Sequence, residues 1–492
     1  MCGITMNKKM IALVFAANLS SLGLITNSHA DETQSLTEIV QSAITSNPEV
    51  LQSYHSYLSV VKDKDAAFGR YLPSVDLTTS IGTEDRSDPL TRGVGSTIRN
   101  SYTRNQTSIS LKQMIFDGFA TRSEVQRLDW SSKAKLFELE GTSEAIAFDA
   151  TRAYIDYIRS RSLTTLAEDN YVAHKIIYEQ LKQKANAGVG KKSDVEQAQS
   201  RLSLADYNMT MEGSNLHDVE ARFQKVTGQI PPTSILSIEP INKEIPDNVV
   251  EALKVAQNKN PQLLASILDI NAQSAAVNGR QSPFMPRVDF RAHSDHGNDL
   301  NGYSGNWRND VAEINVSWNL FNGMSDRNLR SKEQELLEAA NSRRDKTCKD
   351  IRLELQVAFN DIKKLKDQAD YLDARQISIE KARDAYRKQF EIGQRTLVDL
   401  LNAENEVFEA KRLYVNVTND LSIAYAKTNY QMGTLLSALG VSRYASSEAP
   451  LTSDAVGYSS AACTTEAPEQ YKPNHEQLNK RAEEYLTVPK RN

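Results

Sequence analysis

Phe390 to Arg412 read FEIGQRTLVDLLNAENEVFEAKR, and Ala185 to Asp206 read ANAGVGKKSDVEQAQSRLSLAD. Each is a short glycine-bearing turn set between two long helical runs. Gly188 and Gly393 are each followed six residues later by an aspartate, Asp194 and Asp399, and the two pairs lie 205 positions apart. A turn of one plan present twice in a chain points to a duplication, and the rest of the sequence is parsed on that basis.

Working outward, the other landmarks also pair. Asn47-Pro48-Glu49-Val50 returns as Asn260-Pro261-Gln262-Leu263, and Tyr71-Leu72-Pro73-Ser74-Val75-Asp76 as Phe284-Met285-Pro286-Arg287-Val288-Asp289, at an offset of 213. Phe116-Asp117-Gly118 returns as Phe321-Asn322-Gly323 at 205. Between these landmarks the hydrophobic period alternates between two regimes. Residues 33–70 read as helix broken at Asn47-Pro48, because apolar residues recur at three and four. Val75, Leu77, Thr79 and Ile81 then alternate with Asp76, Thr78, Ser80 and Gly82, which is a strand apolar on one face. A polar stretch from Thr83 to Asn100 reads as loop, and a second alternating run spans Thr107 to Ile115. Phe119 to Ala187 has no proline and helical spacing; at about 1.5 Å per residue it would reach roughly 100 Å. After the first turn, Ser193 or Asp194 is placed to cap a helix running to about Thr227. The second half repeats this order: strands from Val288 to about His293 and from Ala312 to Leu320, a long helix from Ser325 to Phe390, then one from Leu397 to about Gly440.

These landmarks divide the chain into residues 1–30, a first structural repeat over 31–232, a linker over 233–246, a second repeat over 247–440, and a polar tail over 441–492 expected to lack a core. Lys8 and Lys9, the apolar run from Met10 and the small residues Ser28 and Ala30 predict a signal peptide cleaved before Asp31. No later run of eighteen apolar residues predicts a membrane helix, and mean hydropathy is −0.50. The net charge of −5 gives no basic stripe for nucleic acid. Of three cysteines, Cys2 leaves with the signal, and Cys348 and Cys463, far apart, are read as free or incidental.

Four strands of about ten residues are long enough to cross a bilayer as tilted β structure. Four cannot close, and an open edge in lipid leaves backbone groups unsatisfied at several kcal/mol each. The strands must therefore be pooled between copies. Eight strands enclose an interior that side chains fill, so a passage favours three copies and twelve strands. The expected fold is an α+β membrane protein: a trimeric 12-stranded β-barrel, four strands per protomer, continued by a long α-helical barrel and carrying an internal duplication.

The double plan of helix, two strands and two long helices, the run Gly393-x-Arg-Thr-Leu-Val-Asp-Leu-Leu401 and the partner turn ending Ser193-Asp194-Val195 resemble the TolC family of outer-membrane channel-tunnels. Arg395 to Phe408 resembles its type I secretion branch, which exports unfolded protein in one step. The resemblance implies a homotrimer in the outer membrane of a Gram-negative bacterium, a helical tunnel across the periplasm, and a periplasmic adaptor with an inner-membrane ABC or other transporter. No nucleophile, base and orienting residue group together in the sequence, so no enzyme activity is expected, nor a cofactor or metal.

By the same resemblance the two turns ring the periplasmic mouth. Asp399 is the pore-lining acid. Asn402, one helical turn on, stands where relatives often carry a second aspartate, which predicts weaker block by di- and trivalent cations. Phe390 and Arg395 occupy positions that tie the inner hairpin to the outer one at Ser193 and Asp194; Arg395 can donate to either, whereas Phe390 lacks the hydroxyl common at its position. Gly188-Val189 and Gly393-Gln394 are the tips on which an adaptor would pack.

Other signals are weaker. Gly188-Val189-Gly190-Lys191-Lys192-Ser193 lacks the spacing of a phosphate loop. His293-x-x-His296 with Asp295 has metal-ligand residue types but leads into a polar, glycine-bearing stretch and reads as a solvated loop. Two alternatives stay open: a duct for small toxic molecules within the channel class, and, outside it, a periplasmic adaptor or coiled-coil scaffold. An adaptor would have one helical hairpin, and a coiled-coil fibre would have no one-face-apolar strands.

Overall fold

The computed structural model describes residues 35–86, 100–232, 241–299, 305–444, 463–466 and 474–487. The expected signal peptide, the middle of the loop after the first strand, the first half of the linker and most of the tail lie outside the described residues.

Helix α1 (Leu36–Ser46) opens on a capping box in which Ser35 and Glu38 satisfy each other's backbone N–H. It stops at Asn47, which caps α2 (Pro48–Phe68) by accepting from Glu49 N, with Pro48 in the first turn. Asn260 does the same between α5 (Val249–Lys259) and α6 (Pro261–Gly279), accepting from Gln262 N and Leu263 N. An asparagine cap followed by proline stops one helix and starts the next, because the proline sits where a backbone donor would be orphaned anyway.

The strands β1 (Ser74–Arg86), β2 (Asn100–Phe116), β3 (Arg287–Asn298) and β4 (Asn306–Ser317) form one antiparallel sheet in the order β1-β2-β3-β4. They run longer than the alternating patterns predicted, although β4 begins at Asn306 and stops at Ser317, short of the expected Leu320, and most of the polar residues on either side of the loop are paired: Arg86 lies opposite Asn100 and Thr83 opposite Thr103. The register puts Val75 opposite Leu111, Leu77 opposite Ile109, Phe290 opposite Ile314 and Val288 opposite Val316. Asp76, Ser110, Lys112, Arg291, Asp295 and Glu313 take the other face. In the single chain Leu77 is 71% exposed, Ile81 77% and Ile314 66%, so this face is built for a solvent other than water. β1 and β4 are both left as unpaired edges, as a sheet shared among protomers requires. His293 and His296, expected in a loop, lie within β3 on opposite faces: His293 Nε2 is 3.5 Å from Asp295 and His296 Nε2 is 3.1 Å from Ser294.

Two helices of 67 residues, α3 (Ala120–Asn186) and α7 (Ser325–Glu391), lead away from the sheet, and each returns as a helix of 36, α4 (Lys192–Thr227) and α8 (Leu397–Met432). The entry to α3 is held by Asp117, whose carboxylate accepts from Thr121 N at 2.8 Å and Thr121 Oγ1 at 2.6 Å. The last helix does not run on to Gly440 as expected. It ends at Gly433, with φ +72°, where a Cβ would lie 2.6 Å from Lys259 O; α9 (Leu435–Leu439) follows after this turn.

The apolar core lies at mid-length. Ala134, Phe137, Leu253, Leu263, Leu268, Leu355 and Met432 pack where α3, α5, α6, α7 and α8 meet, beside a second cluster around Val40, Leu139, Ala147 and Leu435.

Two expectations fail here. Cys348, on α7, and Cys463 form a disulfide with Cα atoms 5.6 Å apart, which their separation of 115 positions concealed. The tail is correspondingly not structureless throughout: Cys463 is buried in the core, its carbonyl accepting from Gln257 Nε2 at 2.7 Å, Arg352 donates to Thr464 Oγ1, and Gln356 Nε2 donates to Glu466 O at 2.9 Å. A further helix, α10, spans His475–Thr487.

Candidate gate at the tips of the helical hairpins

The α3–α4 and α7–α8 hairpins end in the two turns from which the sequence was parsed, and these close identically. Gly188 and Gly393 each have φ of +78°. Gly188 N donates to Ala185 O at 3.0 Å and Val189 N to Lys184 O at 3.1 Å; Gly393 N donates to Phe390 O at 3.1 Å and Gln394 N to Gln389 O at 2.8 Å. This is the Schellman closure, which needs a left-handed residue after the last helical turn. A Cβ on either glycine would touch nothing within 4 Å, so conformation and not space demands glycine. Val189 and Ile392 stand 81% and 70% exposed at the two tips.

The returning helices start differently. Thr396 and Asp399 form a full capping box, Thr396 Oγ1 lying 2.9 Å from Asp399 Oδ2. Asp399 is thus a helix cap as well as a half-exposed acid. On the other hairpin the cap position is Lys191, with no side-chain cap bond. Neither Ser193 nor Asp194 caps α4 as expected; both fall inside its first turn, where Ser193 Oγ donates to Asp194 Oδ1 at 3.3 Å.

Arg395 also departs from expectation. Its Nε donates to Gln389 Oε1 at 3.0 Å, its guanidinium carbon sits 4.3 Å from the Tyr386 ring centroid, and Nη1 is 3.8 Å from Asp399 Oδ2. Within the protomer it is clamped to its own hairpin, not to Ser193 or Asp194. Phe390, lacking a hydroxyl, is absorbed by packing. It lies against an apolar plug of Ile177 and Leu181 from α3, Ala198 from α4, and Leu397, Leu400 and Leu401 from α8. Asn402 takes part in a link that sequence reading missed: its Oδ1 accepts from Arg201 Nη2 of α4 at 3.1 Å.

Arg201 belongs to a seam of polar contacts joining the hairpins. Above it, His174 Nε2 on α3 meets Asn405 Oδ1 on α8 at 3.1 Å, Arg412 meets buried Glu212 at 2.8 Å, and Arg159 meets Asp420 at 2.6 Å. Burial pushes the His174 pKa below its ordinary value, outweighing the Asn405 bond and the nearby Glu404 charge. Inside the α7–α8 hairpin, buried Glu404 takes Arg383 at 3.0 Å on one oxygen and Arg387 on the other. Burial disfavours the charge on Arg383, but the Glu404 carboxylate prevails and raises its pKa. The only trace of this clamp in the sequence is the spacing of Arg383 and Arg387, four apart and so on one helix face.

The family model described as outer membrane efflux protein matches residues 39–229 and 252–429, covering both halves of the duplication. The outer membrane efflux protein BepC of Brucella suis is 23% identical over 86% of this chain and 91% of its own length. The alkaline protease secretion protein AprF of Pseudomonas aeruginosa is 22% identical over 71% and 74%. Among solved structures, the CmeC outer membrane channel of Campylobacter jejuni superposes with a TM-score of 0.71 at 14% identity, over 81% of this chain and 86% of that one. With four membrane-length strands, two helices of 67 residues that each turn back as a hairpin, and a family match across both repeats, the chain belongs to the outer membrane efflux proteins, TolC-type channels that work as homotrimers with adaptors and inner-membrane transporters, their barrel in the Gram-negative outer membrane and their helical tunnel in the periplasm.

Proposed function

We propose that this channel is the exit duct of a type I secretion machine, passing unfolded protein from an inner-membrane ABC or other transporter and its periplasmic adaptor to the outside in one step. The observation that carries the reading is the run Arg395 to Phe408, which resembles the secretion branch and whose residues have defined places in the tip. Thr396 and Asp399 cap the helix, Leu397, Leu400 and Leu401 fill the plug, and Glu404 holds two arginines. The name of AprF, a protease secretion protein, supports it. The second reading, small-molecule efflux, is favoured by the names of the family and of BepC. A deletion strain separates them: loss of a secreted protein, restored by the plasmid-borne gene, with drug sensitivity unchanged, supports secretion. Drug hypersensitivity with an unchanged secretome overturns it.

In this reading the duct is passive and gated at its periplasmic tip. Asp399 supplies one carboxylate per protomer to the pore ring, Asn402 supplies none, and the tips at Gly188, Val189, Gly393 and Gln394 receive the adaptor. The closed state rests on the apolar plug with Phe390 and on the Arg201–Asn402 link, with Arg395, Ser193 and Asp194 shaping the individual hairpins. Arg201→Ala should therefore raise resting conductance in planar bilayers more than Arg395→Ala; the reverse order would return the lock to Arg395.

A further inference from the structure

Most of the polar seam between the hairpins consists of arginines, carboxylates and amides. One position is an imidazole. His174 is 1% exposed, and its Nδ1 is buried without a hydrogen-bond partner among the described residues. Its Nε2 faces Asn405 Oδ1, an acceptor, so Nε2 carries the proton and Nδ1 the lone pair. The residue lies fourteen positions before Gly188, about 21 Å up the helix from the tip, on the α3 face that meets α8.

We propose that His174 is a proton-operated latch of the periplasmic gate: the neutral ring joins α3 to α8, and uptake of a proton at Nδ1 separates the hairpins and opens the tip in acid. The proposal rests on the gate reading above.

The surroundings set the sign. A proton taken from solvent at Nδ1 creates an N–H with no acceptor and a buried cation, while the Nε2 bond to Asn405 is the same in both forms. From α4, Arg201 repels that cation. From α8, Glu404 attracts it, but this carboxylate is already shared by Arg383 and Arg387 of α7. Once the seam parts, water solvates the imidazolium and the penalty vanishes. The packed state therefore holds fewer protons than the parted one at pH values below about 6.5, and acid favours the parted state. A tenfold gain in open probability needs only about 1.4 kcal/mol of difference in proton affinity. The homotrimer carries one such histidine per protomer, so the response should be steeper than a single titration.

The test is single-channel recording of the full-length trimer in planar bilayers, stepping the periplasmic side from neutral to acid. Wild type should open in acid, and His174→Gln, whose amide can donate to Asn405 but does not titrate, should stay closed throughout. His174→Asn serves as a second variant should Gln fail to assemble. An acid response of equal size and midpoint in the variant overturns the latch, as does a wild type indifferent to acid. Arg201→Ala at neutral pH separates the two readings. If it opens the channel and the histidine variant still responds to acid, the gate stands and only the latch falls. If it changes nothing and acid changes nothing, the gate reading falls with it.

Discussion

Reduction of the Cys348–Cys463 disulfide should loosen the middle of the tunnel. The bond closes a loop of 115 positions that contains the lower part of α7, all of α8 and α9, and the strap at Cys463. In the chain-entropy description, a loop of this length restrains the unfolded chain by about 5 kcal/mol. Only part of that is offset by the contacts that survive reduction, namely the Gln257 bond to Cys463 O and the Gln356 bond to Glu466 O. For a chain of this size the loss corresponds to a fall in melting midpoint of about 5 °C. The measurement is thermal unfolding of the detergent-purified trimer with and without a dithiol reductant, at one fixed protein concentration because assembly couples to stability. Alkylation followed by intact mass reports the thiols. Cys348→Ser should melt like the reduced wild type and ignore the reductant. A midpoint unmoved by reduction, with both thiols shown to be liberated, would refute the reasoning; two thiols alkylated without reductant would refute the bond itself.

Three further outcomes follow from the placement of charge. Glu404→Ala leaves Arg383 and Arg387 without their carboxylate; since Arg387 is nearly half exposed, the cost should be about 2 to 3 kcal/mol, below that of a fully buried pair, and is read from denaturant unfolding. Glu144, buried on α3 against the start of α9, is pushed by burial to a pKa of about 8, against which the backbone N–H groups of Leu436 and Leu435 and Arg443 are too weak. Its raised value means that the native state keeps a proton the unfolded chain loses, so stability falls as pH rises from about 4.5 to 8. Glu144→Gln should flatten that slope and gain roughly 3 kcal/mol at pH 7, and an unchanged pH profile would count against it. Asn402→Asp adds a carboxylate 3 Å from an arginine, so block by divalent cations should strengthen modestly, and strengthen further when Arg201→Ala is added; equal block in all three channels would remove position 402 from the pore ring.

Much of this molecule is legible from spacing alone, because its parts obey short-range rules. Asn-Pro stops a helix wherever it falls, alternation at Val75, Leu77 and Ile81 sets one apolar face, and Gly188 and Gly393 announce left-handed turns. What escaped has a common physical cause. The disulfide, the Arg201–Asn402 link and the His174–Asn405 contact join residues 115 to 231 positions apart; the first depends on where the tail returns to α7, the other two on the rotation of one long helix against another. No local pattern encodes either. The misplacement of Arg395 has a different origin: Tyr386 and Gln389, nine and six positions earlier, capture its guanidinium locally before it can reach the other hairpin.

The two turns look interchangeable in sequence, yet one position separates them mechanically. Thr396 and Lys191 are equivalent in the repeat, and only Thr396 has the hydroxyl that closes a capping box with the aspartate three residues on. A side-chain cap contributes about 1 kcal/mol, and Arg395 adds its contacts to Tyr386, Gln389 and Asp399 on the same side. The α7–α8 hairpin is therefore tied end to end, by its cap at the tip and by Glu404 with Arg383 and Arg387 a few turns above. The α3–α4 hairpin carries no side-chain cap at its turn. A load applied at the tips will not unravel the α7–α8 hairpin first. It will be passed to the seam between hairpins, where single hydrogen bonds such as Arg201–Asn402 and His174–Asn405 hold. In the proposed reading, that is where the gate opens.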